Sequence, residues 1–270
     1  MLIAHDFHIH TTLSLCAKDE SATVANYVRN ARRQGLKRLG FANHMWDSAI
    51  PGATEWYQAQ DYAHVAQIKE ELKREAEQSD IQLFFGCEAE YDYIHRGIAL
   101  TEEVAARFDF ILVPNSHTHM VMPKEYYLSK ARHARFMLDA FMDIVSSPLA
   151  QYVTTIAHPF SAVCCPYDNR TLYTLISAAQ YQEAFSAAQE ADIALEINTN
   201  CFSTYTLQEI ADHPALEMLS LAKQRGCKFI FGSDAHSAKP GMLQDSWRNA
   251  YVLASLLDIQ ADDLARMACV

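Results

Sequence analysis

Seven short apolar runs recur along this chain, at residues 2–7, 37–42, 81–87, 108–113, 152–157, 194–197 and 228–231, with amphipathic stretches between them. That alternation limits the possible folds more than any other feature. Each run is about the length of a strand buried on both faces, as parallel strands are. The intervening stretches have helical periodicity: in 24–34, Val24, Tyr27, Val28 and Ala31 share one face. Further helices are predicted over 61–78, 130–146, 172–188, 216–225 and 241–257. Gly35 and Gly226 stand just past two helices, where a left-handed residue commonly ends the turn. Regular alternation of strand and helix makes an α/β protein, either a βα barrel or a doubly wound sheet. No GxGxxG or P-loop follows any strand, which counts against a nucleotide-binding sheet.

The chain has 270 residues, half of them apolar, and no linker divides it. A single barrel-sized domain over 1–270 is therefore expected. The formal net charge of -11 argues against a long nucleic-acid partner, which needs clustered Lys and Arg. It leaves room for a small phosphorylated substrate, because bound divalent cations reverse the local field. No apolar stretch approaches the ~18 residues of a membrane span. Residues 1–7 read as a strand and lack the basic and apolar regions of a signal peptide, so a cytoplasmic location is expected. The seven cysteines are odd in number and irregularly spaced. Most are expected as buried free thiols, Cys87, Cys227 and Cys269 among them. Residues 46–57, with Pro51-Gly52, read as a long loop over one end of the fold. Its Trp46, Trp56 and Tyr57 form either a lid over a ligand or a staple for the loop itself.

The histidines follow the strands. His8 and His10 close the first run, two apart, so both imidazoles reach the same side of an extended chain. His44 follows the second run, Glu88 the third, His117 and His119 the fourth, and His158 the fifth. Asp234 and His236 follow the seventh. In βα barrels the carboxyl ends of the strands converge on one mouth, so these residues should meet in space. Imidazole and carboxylate together suit Zn, Mn or Fe, and a carboxylate such as Glu88 can bridge two ions. His64 and His133 read as solvated helix residues, His213 as a loop residue, and His95 as a surface or pocket residue near Arg96.

Taken in order, the HxH at His8 and His10, FANH at His44, GCE at Glu88, SHTH at His117, AHP at His158 and GSDAH at Asp234 and His236 resemble the polymerase-and-histidinol-phosphatase family, the PHP domain. The resemblance spans nearly the whole chain. It implies a distorted (β/α)7 barrel, TIM-like, with two or three divalent ions in its mouth. It places His8, His10, Glu88 and Asp234 on a first ion, and Glu88, His117 and His158 on a second. His44, His236 and Cys16 would hold a third. Family members often carry His or Asp at the position of Cys16. A thiolate there is a competent zinc ligand, and a buried structural cysteine is the alternative. His117 is the preferred ligand of its pair, with His119 a pocket residue or proton donor.

The activity so implied is hydrolysis of a small phosphate monoester, as in histidinol phosphatases, by a hydroxide bridging two ions. Glu88, Asp234, His119 and His236 would carry the chemistry, and His119 or a metal-bound water would protonate the leaving group. Asn198 and Asn200, after the sixth run, are candidates to donate to a phosphate or to a ligand imidazole, and Arg96, Lys124 and Lys239, in strand-end loops, to meet a phosphate or solvent. Two other readings stay open: a phosphodiesterase or exonuclease on nucleotides or short oligonucleotides, and a metal-binding module without catalysis. The carboxylate-bridged amidohydrolase barrels also use HxH after the first strand, but Glu88 on the third fits them less well.

Overall fold

The structure, a computed structural model, describes residues 3–162 and 164–269, the side chains of 240–243 excepted. Leu2, where the first strand was expected to begin, lies outside the described residues. The strands are β1 (His5–Ile9), β2 (Arg38–Met45), β3 (Gln82–Ala89), β4 (Tyr91–Asp92), β5 (Gly97–Ile98), β6 (Phe110–Pro114), β7 (Thr155–Ala157), β8 (Ala194–Asn198) and β9 (Phe229–Gly232). Seven of them form one parallel sheet in the order β1-β2-β3-β6-β7-β8-β9, while β4 and β5 pair as a small antiparallel hairpin. The sheet curls until its edges meet. His10 N–H donates to the Ala235 carbonyl at 2.9 Å, and Ala235 N–H donates to the His8 carbonyl at 3.3 Å. Of the two architectures open from sequence, the chain adopts the (β/α)7 barrel.

The strands run further toward the mouth than the apolar runs suggest, so His8, His44 and Glu88 lie inside strands. Parallel pairing continues through His44 and Glu88, which face one another in register. Hydrophobicity fades there, but the ladder does not.

β1 carries an irregularity. Asp6 pairs with Leu39 and Ile9 with Phe41, so three steps on β1 match two on β2. One extra residue breaks the period-two alternation, as bulges beside functional sites do. Phe7 and His8, adjacent in sequence, both turn toward the barrel interior. Phe7 packs on Phe84 and Phe110, with ring centroids 5.2 and 5.4 Å away, and His8 points at Glu88 one layer higher. Space for these rings comes from Gly40 and Gly86. A Cβ on Gly86 would lie 2.3 Å from the Phe110 ring, and one on Gly40 only 2.4 Å from Phe7. The result is an aromatic floor beneath the histidines.

Helices cover the outside. Val24–Gln34 starts at Thr23, whose side chain accepts from Asn26 N–H, and ends at left-handed Gly35. The helix expected over 172–188 is two, Asn169–Thr174 and Ala178–Glu190, because Ser177 and Gln180 form a capping box that restarts the chain. The stretch 61–78 likewise divides into Tyr62–Val65, a 3₁₀ turn and Lys69–Glu77. The 46–57 loop holds one short helix, Glu55–Gln58.

Two histidines, His133 and His64, differ from expectation, while His213 is a loop residue as expected. His133 is fully buried, its Nε2 2.9 Å from Thr118 Oγ1, because its face of helix Lys130–Val145 packs inward. His213 caps helix Pro214–Gln224, its Nδ1 accepting from Ala215 N–H, and is buried among Tyr173, Phe202 and Tyr205. His64 is half-buried, its Nε2 2.7 Å from the Leu13 carbonyl. All seven cysteines are free, but only Cys87 and Cys227 are buried, and Cys269 is exposed near the terminus.

Candidate metal centre

Six strands deliver side chains to one point at the barrel mouth. Glu88 is at its middle, buried to 1% exposure, and its two carboxylate oxygens face different histidines. Oε2 lies 3.3 Å from His8 Nε2, 3.5 Å from His10 Nε2 and 3.0 Å from His44 Nδ1. Oε1 lies 3.0 Å from His158 Nε2 and 3.4 Å from His117 Nε2. Asp234 Oδ1 joins the first set, 3.6 Å from His8 Nε2 and 3.3 Å from His10 Nε2. The two histidine nitrogens are themselves 3.1 Å apart.

These separations fit ions. A tetrahedral ion with ligands at about 2.0–2.1 Å keeps its donors about 3.3–3.4 Å apart. Glu88 Oε2 and His44 Nδ1 are both buried without a properly angled hydrogen bond, a costly arrangement unless a cation meets them. Each remaining histidine is locked from behind. His10 Nδ1 is 2.9 Å from Ser14 Oγ, His117 Nδ1 2.9 Å from Glu90 Oε2, and His158 Nδ1 2.6 Å from Ser116 Oγ. His8 Nδ1 is 2.8 Å from Glu196 Oε1. With Nδ1 so engaged, each Nε2 presents its lone pair to the centre, as in metal-ligating histidines.

Electrostatics point the same way. Burial alone would keep His8 neutral, yet Glu196, Glu88 and Asp234 hold its pKa well above the usual imidazole value. Burial would protonate Glu88, yet His117, His8 and His44 hold its carboxyl well below the usual range. Burial, together with His236 and His44, holds His10 well below its ordinary value, in the neutral ligating form. The pocket thus draws positive charge, as protons or as ions in their place.

The third histidine group is His10, His44 and His236. Cys16, an exposed residue, adds its Sγ 3.1 Å from His236 Nε2. Outside these groups lies a cavity of about 310 Å³ lined by Cys16, His44, Trp56, Tyr57, His119 and Met120, among others. His119 is exposed in it, its ring 5.8 Å from that of His117. Tyr57 is buried and donates its hydroxyl to Glu90 Oε2, which ties the 46–57 loop to the histidine network. A second cavity of about 430 Å³ adjoins the other side of Asp234 and His236, lined by Asn200, Ser203, Ser237, Asp245 and Ser246.

Of the candidate substrate residues, Asn200 lines this second cavity and the others stand elsewhere. Arg96 lies at the β4–β5 turn, exposed, and is ion-paired with Asp143 at 2.8 Å. His95 beside it faces Asp92 at 2.5 Å. Lys239 is held by Asp19 at 2.7 Å. Lys124 is exposed on a 3₁₀ turn. Asn198 is buried, its amide donating to Glu196 Oε2 at 3.2 Å and its carbonyl accepting from Cys201 N–H at 3.1 Å. Arg96, Lys124 and Lys239 are spent on surface pairs or solvent, and Asn198 on the network behind the histidines. Sequence reasoning missed that network: Glu90, Glu196, Ser14, Ser116 and Asn43, whose Oδ1 accepts from Ser14. Glu196 alone left a signal, as a lone carboxylate inside an apolar strand.

Comparison with known proteins adds to this geometry. The profile of the PHP domain matches residues 6–200. A probable phosphatase of Caldicellulosiruptor bescii is 26% identical over 237 residues, covering 87% of this chain and 81% of the relative. One from Clostridium novyi is 24% identical over 232 residues, covering 86% and 78%. Among solved structures, the histidinol phosphate phosphatase of Lactococcus lactis, complexed with zinc, L-histidinol and phosphate, superposes with a TM-score of 0.63. It is 21% identical, over 95% of this chain and 94% of that one.

Proposed function

This chain belongs to the PHP domain family, and on that ground, together with its ligand geometry, we propose that it is a metal-dependent phosphatase acting on a small phosphate monoester. One observation carries the reading: Glu88 divides the imidazoles, with His8, His10 and His44 at one oxygen and His117 and His158 at the other. A bridging carboxylate between two ions needs that division. His8, His10, Glu88 and Asp234 would hold one ion, and Glu88, His117 and His158 another. His44, His236 and Cys16 would complete a third site, with Zn, Mn or Fe as occupants. Such ions supply Lewis acidity toward phosphoryl oxygens and an activated water near neutral pH.

The chain's own residues supply the rest. Glu88 and Asp234 fix the negative charge that gathers the ions. His119 lines the cavity where the leaving oxygen would lie and would give it a proton, while His236, held in the third site, would face the phosphoryl group. Trp56, Tyr57 and Met120 offer an apolar wall for an organic leaving group. A histidinol-phosphatase-like substrate is consistent with the likeness to the Lactococcus lactis enzyme. A phosphodiester is the second reading, favoured by the cavity on the far side of Asp234 and His236, which has room for a second ester arm.

The test is metal analysis of the purified protein, then a panel of phosphomonoesters, diesters and amides with added Mn or Zn. Phosphate release from monoesters is expected, and H8A and D234A should lose metal and turnover together. Their loss should exceed the roughly 100-fold that outer-sphere changes cost. An active metal-free variant overturns the reading. Cleavage of diesters alone selects the second reading, and bound metal with no turnover on any substrate leaves a binding module.

A further inference from the structure

We propose that Glu196 is a positioning residue that holds one ligand of each of two ions and so sets the spacing between them. The inference rests on the metal-dependent reading above. Glu196 lies on β8 and is 1% exposed. Its Oε1 accepts from His8 Nδ1 at 2.8 Å, and its Oε2 accepts from the backbone N–H of His158 at 2.6 Å. His8 belongs to the histidines at Glu88 Oε2, and His158 to those at Oε1. The same two residues are therefore clasped between two carboxylates, Glu88 on the ion side and Glu196 behind.

Two further observations show that this position is built. His158 has φ 26°, a left-handed conformation costly for a side chain with a Cβ, so its backbone needs an anchor. The Glu196 carboxylate anchors its N–H, and Ser116, at the carbonyl and at Nδ1, completes the hold that aims the ring at Glu88. On the other side, a Cβ on Gly232 would lie 1.9 Å from Glu196 Oε1 and 2.6 Å from His8 Cβ. The absent side chain at 232 leaves room for the carboxylate to reach His8.

Glu196, His8 and His158 are also close enough together to be considered as ion ligands themselves. The bonding favours the outer role. Glu196 meets His8 at Nδ1, whereas His8 Nε2 is the atom facing Glu88 and Asp234. Oε2 is further engaged by Asn198 Nδ2 at 3.2 Å. Partners of this kind orient the ring and are typically worth 10–100-fold in metal affinity.

The test uses the full chain loaded with Mn(II), read by metal affinity, by the electron paramagnetic resonance of the coupled ion pair, and by melting of the metal-free protein. Glu196→Gln keeps the shape but accepts at one position only, opposing an N–H₂ to the other donor. Affinity for both ions should fall roughly 10–100-fold, and the exchange-coupled signal should change, with a drop in metal-free melting from the opposed donors that does not by itself account for the lost affinity. Glu196→Asp should fall between Glu196→Gln and wild type. Wild-type affinity and coupling in Glu196→Gln overturn the inference, as does a lowered metal-free melting temperature with unaltered affinity. A wild type that binds no coupled ions overturns the metal-centre reading along with it, which separates the two failures.

Discussion

Cys16 Sγ stands 3.1 Å from His236 Nε2, and the His236 ring stacks on His10 with centroids 4.3 Å apart. A soft donor thus borders the histidine group that would take a third ion. Thiolate favours zinc, whereas carboxylate favours manganese. Cys16→Asp should shift the ratio of Zn to Mn retained from a mixture toward Mn. Cys16→Ala should lower stoichiometry by up to one ion while the ions shared through Glu88 remain. Metal content after equilibration with both metals measures this, and an unchanged ratio and stoichiometry in both variants would remove Cys16 from the site.

Trp56 meets the His44 ring edge-on at 5.1 Å and forms part of the cavity wall. Truncating it removes apolar area that an organic leaving group would cover. Trp56→Ala should raise KM for aryl monoesters by roughly 5–30-fold, equivalent to about 1–2 kcal/mol. Competitive inhibition by inorganic phosphate should hardly change. A parallel loss for phosphate would mean that Trp56 acts by holding His44.

Arg96 is committed to Asp143 on helix Lys130–Val145 and is exposed. Exposed ion pairs contribute little to stability. Arg96→Ala should leave turnover unchanged and the melting temperature nearly so. Steady-state kinetics decide the matter, and a marked rise in KM would bring Arg96 back as a phosphate contact.

His5 sets a pH dependence of stability away from the ions. It is buried, and its Nε2 accepts from Phe231 N–H at 3.0 Å. Burial pushes its pKa from 6.5 down to about 3, helped by the Arg38 charge and opposed by the Ala268 backbone. The unfolded chain takes a proton near 6.5, and the folded chain refuses it until about 3. This contribution to stability is therefore present above pH 6.5 and lost as pH falls from there toward 3, by about 1.4 kcal/mol per pH unit. Urea midpoints of the metal-free protein between roughly pH 7 and pH 4 should fall more steeply for wild type than for His5→Gln. Parallel profiles would contradict it.

The histidine motifs were legible because two local rules reach far. Period-two alternation puts His8 and His10 on one side, and the barrel gathers strand ends at one mouth. Depth within the strand was not legible. His44 and Glu88 lie inside the ladder, because the run of apolar residues ends before the pairing does. Nor was the network behind the ligands. Glu196 reaches His8 across 188 positions, and Ser116 reaches His158 across 42. Nothing in local spacing encodes such partners. The same holds for His133, whose burial depends on which helix face packs inward, and for Arg96, which finds Asp143 47 residues away.

The floor of Phe7, Phe84 and Phe110 has a kinetic consequence. Rings seated over Gly40 and Gly86 plug the barrel from below, so ions held at the mouth would enter and leave from above, past the rim of Cys16, Trp56 and His119 or past Asp234 and His236 from the neighbouring cavity. A ligand that covers both openings would also stopper ions beneath it. Chelators should strip the protein slowly while phosphate fills the opening and quickly once it departs, so exchange would be governed by the ligand's residence and not by the strength of the coordination bonds alone.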